Sequence, residues 1–129
     1  MKTFDKADPP SIPLRAAVFG KEEDPALYPK IPNARENAIF LERILAYTGL
    51  YDYDPRYLEL RRRSAVALGH LGQTNSIPAF SKALDFISSY KLAAKHYGSD
   101  RLDAFLESLA DGLMRIGGPQ AQAELQSWG

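Results

Sequence analysis

Cysteine is absent from the 129-residue sequence. Its absence excludes disulfide bonds, thiolate metal sites and cysteine nucleophiles from these residues. A chain without disulfides suits a reducing compartment, so the cytoplasm is the expected location.

Long apolar runs and an excess of charge are also missing. No run approaches the roughly 18 apolar residues of a membrane-spanning helix, and the opening residues, MKTFDKADPP, lack the apolar segment of a signal peptide. Sixteen basic residues balance sixteen acidic ones, so no net field draws the chain toward nucleic acid or an anionic membrane. With 45% apolar and 25% charged residues, the composition predicts one soluble globular domain without membrane attachment.

Proline is concentrated at the start of the chain, where it disfavours long helices because it fixes φ and lacks an N–H donor. Residues 14–19 are a short apolar stretch that we expect to add a helical turn or to lie extended against the domain. We predict a Pro-rich N-terminal arm at 1–33, partly ordered or packed over the first helices, and a helical domain at 34–129. The arm holds six of the nine prolines: Pro9, Pro10, Pro13, Pro25, Pro29 and Pro32.

From residue 33 onward, apolar residues recur at three- and four-residue spacing, which is typical of amphipathic helices. The first predicted helix runs from about Asn33 to near Gly49. The second begins at Pro55 with Asp54 as its N-cap and closes at residues 69–72. Small residues in the second helix permit a neighbouring backbone to come close: Ser64, Ala65, Ala67 and Gly69.

Three further helices complete the predicted domain. The third opens at Ser76 and is expected to continue to about Tyr97, where Gly98 ends it. The fifth is a short terminal helix from Pro119, which we expect to close the core. The fourth carries the clearest apolar stripe: Leu102, Phe105, Leu106, Leu109, Leu113 and Ile116.

The second and third helices are weakly repeated further along the chain. Both copies have the order helix, glycine turn, helix, and they are offset by the 45 residues that separate Ala65 from Ala110. The second copy lacks an equivalent of Arg61 and has Met114 where the first has Gly69. The other aligned pairs are Leu68 with Leu113, Leu71 with Ile116, Gly72 with Gly117, and Phe80 with Leu125.

The first copy resembles HEAT-like repeats of the phycobilisome-lyase type, whose signature is roughly D-P-x-V-R-x-x-A-x-x-A-L-G-x-L-G. The resemblance implies an α-solenoid fragment of stacked helix pairs that binds another protein. We therefore predict an all-α fold, a short HEAT-like α-solenoid or compact helical bundle of about five helices. The matching residues are Asp54, Pro55, Leu60, Arg61, Ser64, Ala67, Leu68, Gly69, Leu71 and Gly72.

The basic run at residues 61–63 has the composition of a nucleic-acid patch, but successive residues on a helix diverge by 100°. No further basic stripe accompanies the run in the sequence, which argues against nucleic-acid binding. Arg61 falls on the apolar face, where a charge needs a partner. We predict that it forms a structural ion pair with Asp54, Asp85 or Asp103.

An acidic ridge follows the fourth predicted helix, beside its apolar stripe. A solvated helix face explains this spacing. The positive end of the helix dipole also stabilises the acids near the start of the helix. The alternative is a binding patch for a partner with a basic surface. The ridge consists of Asp100, Asp103, Glu107 and Asp111.

Tyr51 and Tyr53 lie at the turn before the second helix, close to Asp52 and Asp54. Tyrosines at a solvent boundary are frequent binding hot spots, so both are candidates for partner binding. Packing into the core is the alternative, particularly for the nearby Tyr57.

Signs of catalysis are missing from the sequence. His70 and His96 are isolated and lack metal-ligand spacing, and the GHLG segment lacks the lysine and spacing of a phosphate-binding loop. No motif marks a nucleophile. We predict no enzyme activity, no metal and no cofactor.

The sequence favours a non-catalytic protein-protein interaction module, for example a small immunity or inhibitor protein or an adaptor. Two alternatives come from the repeat type. One is a chaperone or lyase-like factor for a chromophore-bearing protein, and the other is a HEAT-like protein that binds nucleic acid.

Overall fold

The computed structural model describes residues 12–31, 35–46, 55–87, 94–95 and 97–128. Within these ranges the chain forms no strand, and the predicted all-α fold is confirmed. Two short 3₁₀ helices, Pro25–Lys30 and Thr74–Ser76, occur in connections. The α-helices of the described residues are α1 (Ile12–Phe19), α2 (Arg35–Leu45), α3 (Pro55–Leu71), α4 (Ile77–Phe86), α5 (Ser99–Ile116) and α6 (Gly118–Trp128).

The apolar stretch at residues 14–19 belongs to α1, so of its two predicted conformations it adopts the helical one. Leu14, Ala17 and Val18 are fully buried, and α1 packs against α3. Tyr28, in the following 3₁₀ helix, is also buried. Residues 12–31 therefore contribute to the core. The predicted division at residue 33 falls outside the described residues and stays a prediction.

The centre of the domain is the packing of α3 against α5. Arg56 and Arg101, near the starts of the two helices, line one cavity, and Gly69 lies against Gly112 near their ends. The two helices therefore run in the same direction. The predicted stripe of α5 faces α3 and the core, with Leu102, Phe105, Leu109 and Leu113 fully buried.

The turns after α3 and α5 each begin with a glycine at positive φ that bonds back to the helix. Gly72 has φ 68° and donates its amide hydrogen to the carbonyl of Leu68 at 3.0 Å. Gly117 has φ 70° and donates to Leu113 at 2.9 Å. Glycine suits both positions because a positive φ is costly for residues with a Cβ. These are the pairs that the 45-residue offset aligned, and each turn leads into a second helix, α4 or α6.

The helix predicted for residues 76–97 is interrupted after Phe86, although residues 94, 95 and 97 are helical. α4 ends at Phe86, and Ile87 leaves the helix with φ −107° and ψ 28°. The amide of Ile87 donates to the carbonyl of Leu84 at 3.1 Å. This bond spans three residues rather than the four of an α-helix, so the last turn is tightened. Apolar residues continue at helical spacing beyond Ile87, at Tyr90 and Ala94, so the spacing by itself does not mark this end.

α6 covers the end of the core that lies away from the N-terminal segment, as the sequence predicted. α6 begins at Gly118, one residue before the predicted Pro119, and Ala121 is its buried contact. Leu125 and Trp128 are partly buried and pack against the core.

Candidate functional site

Arg61 is among the largest fully buried side chains of the domain, with 1% of its surface exposed. This agrees with its predicted place on the apolar face of α3. Of its predicted partners, Asp85 and Asp103 lie on the exposed surface, and Asp54 lies outside the described residues. The ion pair of Arg61 with Asp54, Asp85 or Asp103 stays a prediction.

Arg62 and Arg63 form a hydrogen-bonded network with the N-terminal segment. Arg62 donates two 2.9 Å hydrogen bonds to Glu59 and another hydrogen bond to Glu23. Arg63 donates to Glu59 at 3.1 Å and to the carbonyl oxygen of Gly20 at 2.6 Å. The two arginines thus fasten the connection after α1 to the middle of α3.

Tyr28 extends this network and ties it to the end of α3. Its hydroxyl donates to Glu23 at 2.7 Å, and its ring stacks on His70 with centroids 5.6 Å apart and planes within 5°. Burial and the Glu23 hydrogen bond raise the pKa of Tyr28. Partial desolvation lowers the pKa of His70, and the charge of Arg115 lowers it further. Both shifts favour the neutral form of the ring.

The acids of the network are held in their charged form. Hydrogen bonds from Arg62 lower the pKa of Glu59 despite its partial burial. Burial by itself would raise the pKa of Glu23, but the hydrogen bonds from Arg62 and Tyr28 outweigh it and lower the pKa. The hydrogen bond to Glu59 in turn raises the pKa of Arg62. These paired charges stabilise the fold of the N-terminal segment.

A cavity of about 690 Å³ opens beside this network, between the end of α1 and the first halves of α3 and α5. Its apolar wall contains Val18, Phe19, Leu58 and Leu60. Its charged lining is predominantly basic, with one carboxylate, Glu59, among the described residues. The basic lining residues are Lys21, Arg56, Arg62, Arg63 and Arg101.

Sequence reasoning missed this basic lining. Lys21, Arg56 and Arg101 are far apart in the chain, in the connection after α1, in α3 and in α5. No local pattern could have indicated them, because only the packing of α1, α3 and α5 places them around one cavity.

The predicted acidic ridge lies on the exposed side of α5, and all four of its acids are exposed. Glu107 and Asp111 line a second cavity of about 470 Å³, beside Ser108 and Met114. Asp111 also pairs with Arg115 at 3.4 Å. Asp100 and Asp103 are not among the residues that line this cavity. The structure thus places half of the ridge at a concave surface.

Three residues singled out in the sequence, Tyr51, Tyr53 and His96, lie outside the described residues. Across the part of the chain that the structure describes, no group of three or more histidine and acidic side chains is arranged to hold a metal ion.

None of the described helices combines the length and apolar character needed to cross a membrane.

Comparison with known proteins identifies one segment of this fold. The family model described as PBS lyase HEAT-like repeat matches residues 60–86, which span most of α3, the Gly72 turn and α4. Neither curated proteins nor solved structures gave a significant match. The sequence-based identification of a HEAT-like repeat is confirmed for one copy. The described residues of this chain form an all-α fold, in which residues 60–86 match a HEAT-like repeat of the PBS lyase type.

Proposed function

We propose that this protein is a non-catalytic interaction module that binds another protein through the exposed side of α5. The observation that carries the proposal is the position of Glu107 and Asp111 at a concave surface between α3 and α5. Proteins with HEAT-like repeats commonly mediate protein interactions, which supports the same conclusion.

The chemistry of this surface suits a partner with a basic patch. Exposed carboxylates steer a basic partner and fix its orientation. Met114 lies beside them with 62% of its surface exposed, and a flexible methionine side chain adapts to the apolar part of an interface. A small immunity or inhibitor protein would use such a surface to mask a basic functional site, and an adaptor would use it to join subunits. We place the complex in the cytoplasm, in keeping with a chain that has no cysteine.

The test is a pull-down of the tagged protein from its native cell lysate, with Glu107→Lys/Asp111→Lys run beside it. The matched control is Glu22→Lys/Glu36→Lys, which makes the same charge change at exposed acids outside α5. We expect a stoichiometric protein partner that is retained by the control and lost from the first variant.

Two results contradict the proposal. One is a partner retained equally by both variants, which would show that the exposed side of α5 is only a solvated face. The other is retention of nucleic acid or a coloured small molecule in place of a protein, which would favour one of the two alternative functions.

A further inference from the structure

The two cavities beside α3 and α5 adjoin each other. Arg62 and Ala104 line both of them, so the two cavities meet at these residues. The combined surface follows α5 from Arg101 to Met114, and we name it the α3–α5 groove.

Charge is segregated along the α3–α5 groove. Lys21 and Arg101 line one end, whereas Glu107 and Asp111 line the other, where Asp111 also pairs with Arg115. The starts of the parallel helices α3 and α5 lie at the basic end, so the positive ends of both helix dipoles add to its potential. The groove therefore presents a positive end and a negative end to whatever it binds.

The middle of the groove carries little charge that a partner could pair with. Arg62, which lies there, has 18% of its side-chain surface exposed and is already engaged by Glu59 and Glu23. Ala104 is exposed and small, so it leaves room for an approaching backbone or apolar side chain. Phe19 and Leu60, both partly buried, supply apolar surface on the neighbouring wall.

The length of the groove matches a short helix. Arg101 and Met114 are thirteen residues apart on α5, which corresponds to about 20 Å at the rise of an α-helix. A docked helix of three to four turns would cover this distance. Small-molecule sites usually enclose most of their ligand, whereas this groove is open to solvent along one side, so its shape suits a segment of a larger partner.

We propose that the α3–α5 groove binds a helical segment of the partner protein that is acidic at one end, basic at the other and apolar between them. This inference rests on the proposed protein-binding function and specifies the partner's chemistry. It also assigns the ridge acids different roles, because Glu107 and Asp111 contact the basic end of the segment, whereas Asp100 and Asp103 do not line the groove. Helix-in-groove docking of this kind depends on apolar anchors for affinity and on charges for direction.

The experiment is a selection from a displayed library of 14-residue peptides on a helical, alanine-rich background, with the purified full chain as bait. We expect wild-type protein to enrich peptides with acids at one end and bases at the other. Lys21→Glu/Arg101→Glu should enrich peptides with bases at both ends, and Glu107→Lys/Asp111→Lys should enrich peptides with acids at both ends. Fluorescence anisotropy on the wild-type consensus peptide should show at least ten-fold weaker binding to each variant.

Arg43→Glu is the control, because Arg43 is exposed on α2 and lines neither cavity. It should retain the wild-type peptide preference and bind the consensus peptide within two-fold of wild type. Because the substituted side chains lie at the surface, every variant should remain folded. Circular dichroism and thermal melting check this.

The inference is overturned if no charge order is enriched, if the wild-type protein enriches peptides that carry charges of only one sign, or if all variants select the same peptides. Such results would not contradict the proposed function, which the lysate pull-down tests without reference to the groove's basic end. A lysate partner that is sensitive to Glu107 and Asp111 but not to Lys21 and Arg101 would separate the two ideas, upholding the proposed function and overturning this inference.

Discussion

Gly69 of α3 lies directly against Gly112 of α5. A Cβ placed on Gly69 would be 2.9 Å from the Cα of Gly112. A Cβ placed on Gly112 would be 2.7 Å from the ring of Phe80 and 2.9 Å from the carbonyl oxygen of Ala65. The two backbones approach this closely only because both residues lack a side chain.

Gly112→Ala should destabilise the domain. Overpacking costs about 1–3 kcal/mol, and the gain in helix propensity returns up to about 1 kcal/mol, so we expect a net loss of roughly 1–2 kcal/mol. Urea unfolding measures it. Ala104→Gly, on an exposed position of the same helix, calibrates the propensity difference without a clash. Stabilisation by Gly112→Ala would mean that α3 and α5 separate at little cost.

Arg62→Met should loosen the N-terminal segment. The substitution removes the hydrogen bonds to Glu59 and Glu23 and leaves Glu23 partly buried without its cation. Because hydrogen bonds to charged groups are worth about 1.5–3 kcal/mol, we expect a loss of about 2 kcal/mol in unfolding free energy. Hydrogen exchange of residues 20–28 should also accelerate.

Arg115→Met is the control for this substitution. It breaks an exposed ion pair with Asp111 and should cost less than about 0.5 kcal/mol. Equal losses in the two variants would show that the Arg62 network contributes no more than a surface pair.

Stability should fall in acid because of Glu23 and Glu59. The folded state lowers the pKa of both carboxyls below the unfolded value of 4.5. Their contribution is therefore present above the unfolded pKa and is lost as pH falls through the lower folded pKa. Urea unfolding between pH 7 and pH 3 should show this loss, and Glu23→Gln/Glu59→Gln should flatten it. A profile identical to that of wild type would contradict the assignment, and Glu22→Gln, at an exposed neighbour, is the control.

Arg61→Ala should lower the melting temperature by about 10 °C, since breaking a buried ion pair typically costs about 3–5 kcal/mol. Arg61→Met separates two causes, because it keeps the packing of the stem and removes the charge. If Arg61 is part of an ion pair, the methionine variant is also destabilised. An unchanged melting curve for Arg61→Ala would disprove the predicted pair.

Several features of this protein were readable from the sequence because they depend on neighbouring residues. Apolar spacing at three and four residues identified α5 and its buried stripe. The 45-residue offset located the matching turns at Gly72 and Gly117, where a local backbone conformation needs glycine. The same local pattern carried the resemblance to HEAT-like repeats, which the match at residues 60–86 confirms.

Other features were decided by packing between distant parts of the chain. Ser76, placed to cap α4, makes no capping bond, and its hydroxyl donates to Glu42 of α2 at 2.6 Å. Arg62, one of three adjacent arginines with the composition of a nucleic-acid patch, is engaged by Glu23 of the N-terminal segment.

The sequence by itself determined the helical fold class, the HEAT-like repeat and the buried stripe, because periodicity and glycine turns are local properties of the chain. Tertiary structure alone decided the end of α4 at Phe86, the partners of Arg62 and the gathering of Lys21, Arg56 and Arg101 around one cavity. These depend on which helices meet and at what register. That outcome is set by the whole core, where glycines such as Gly69 and Gly112 determine how closely two helices approach.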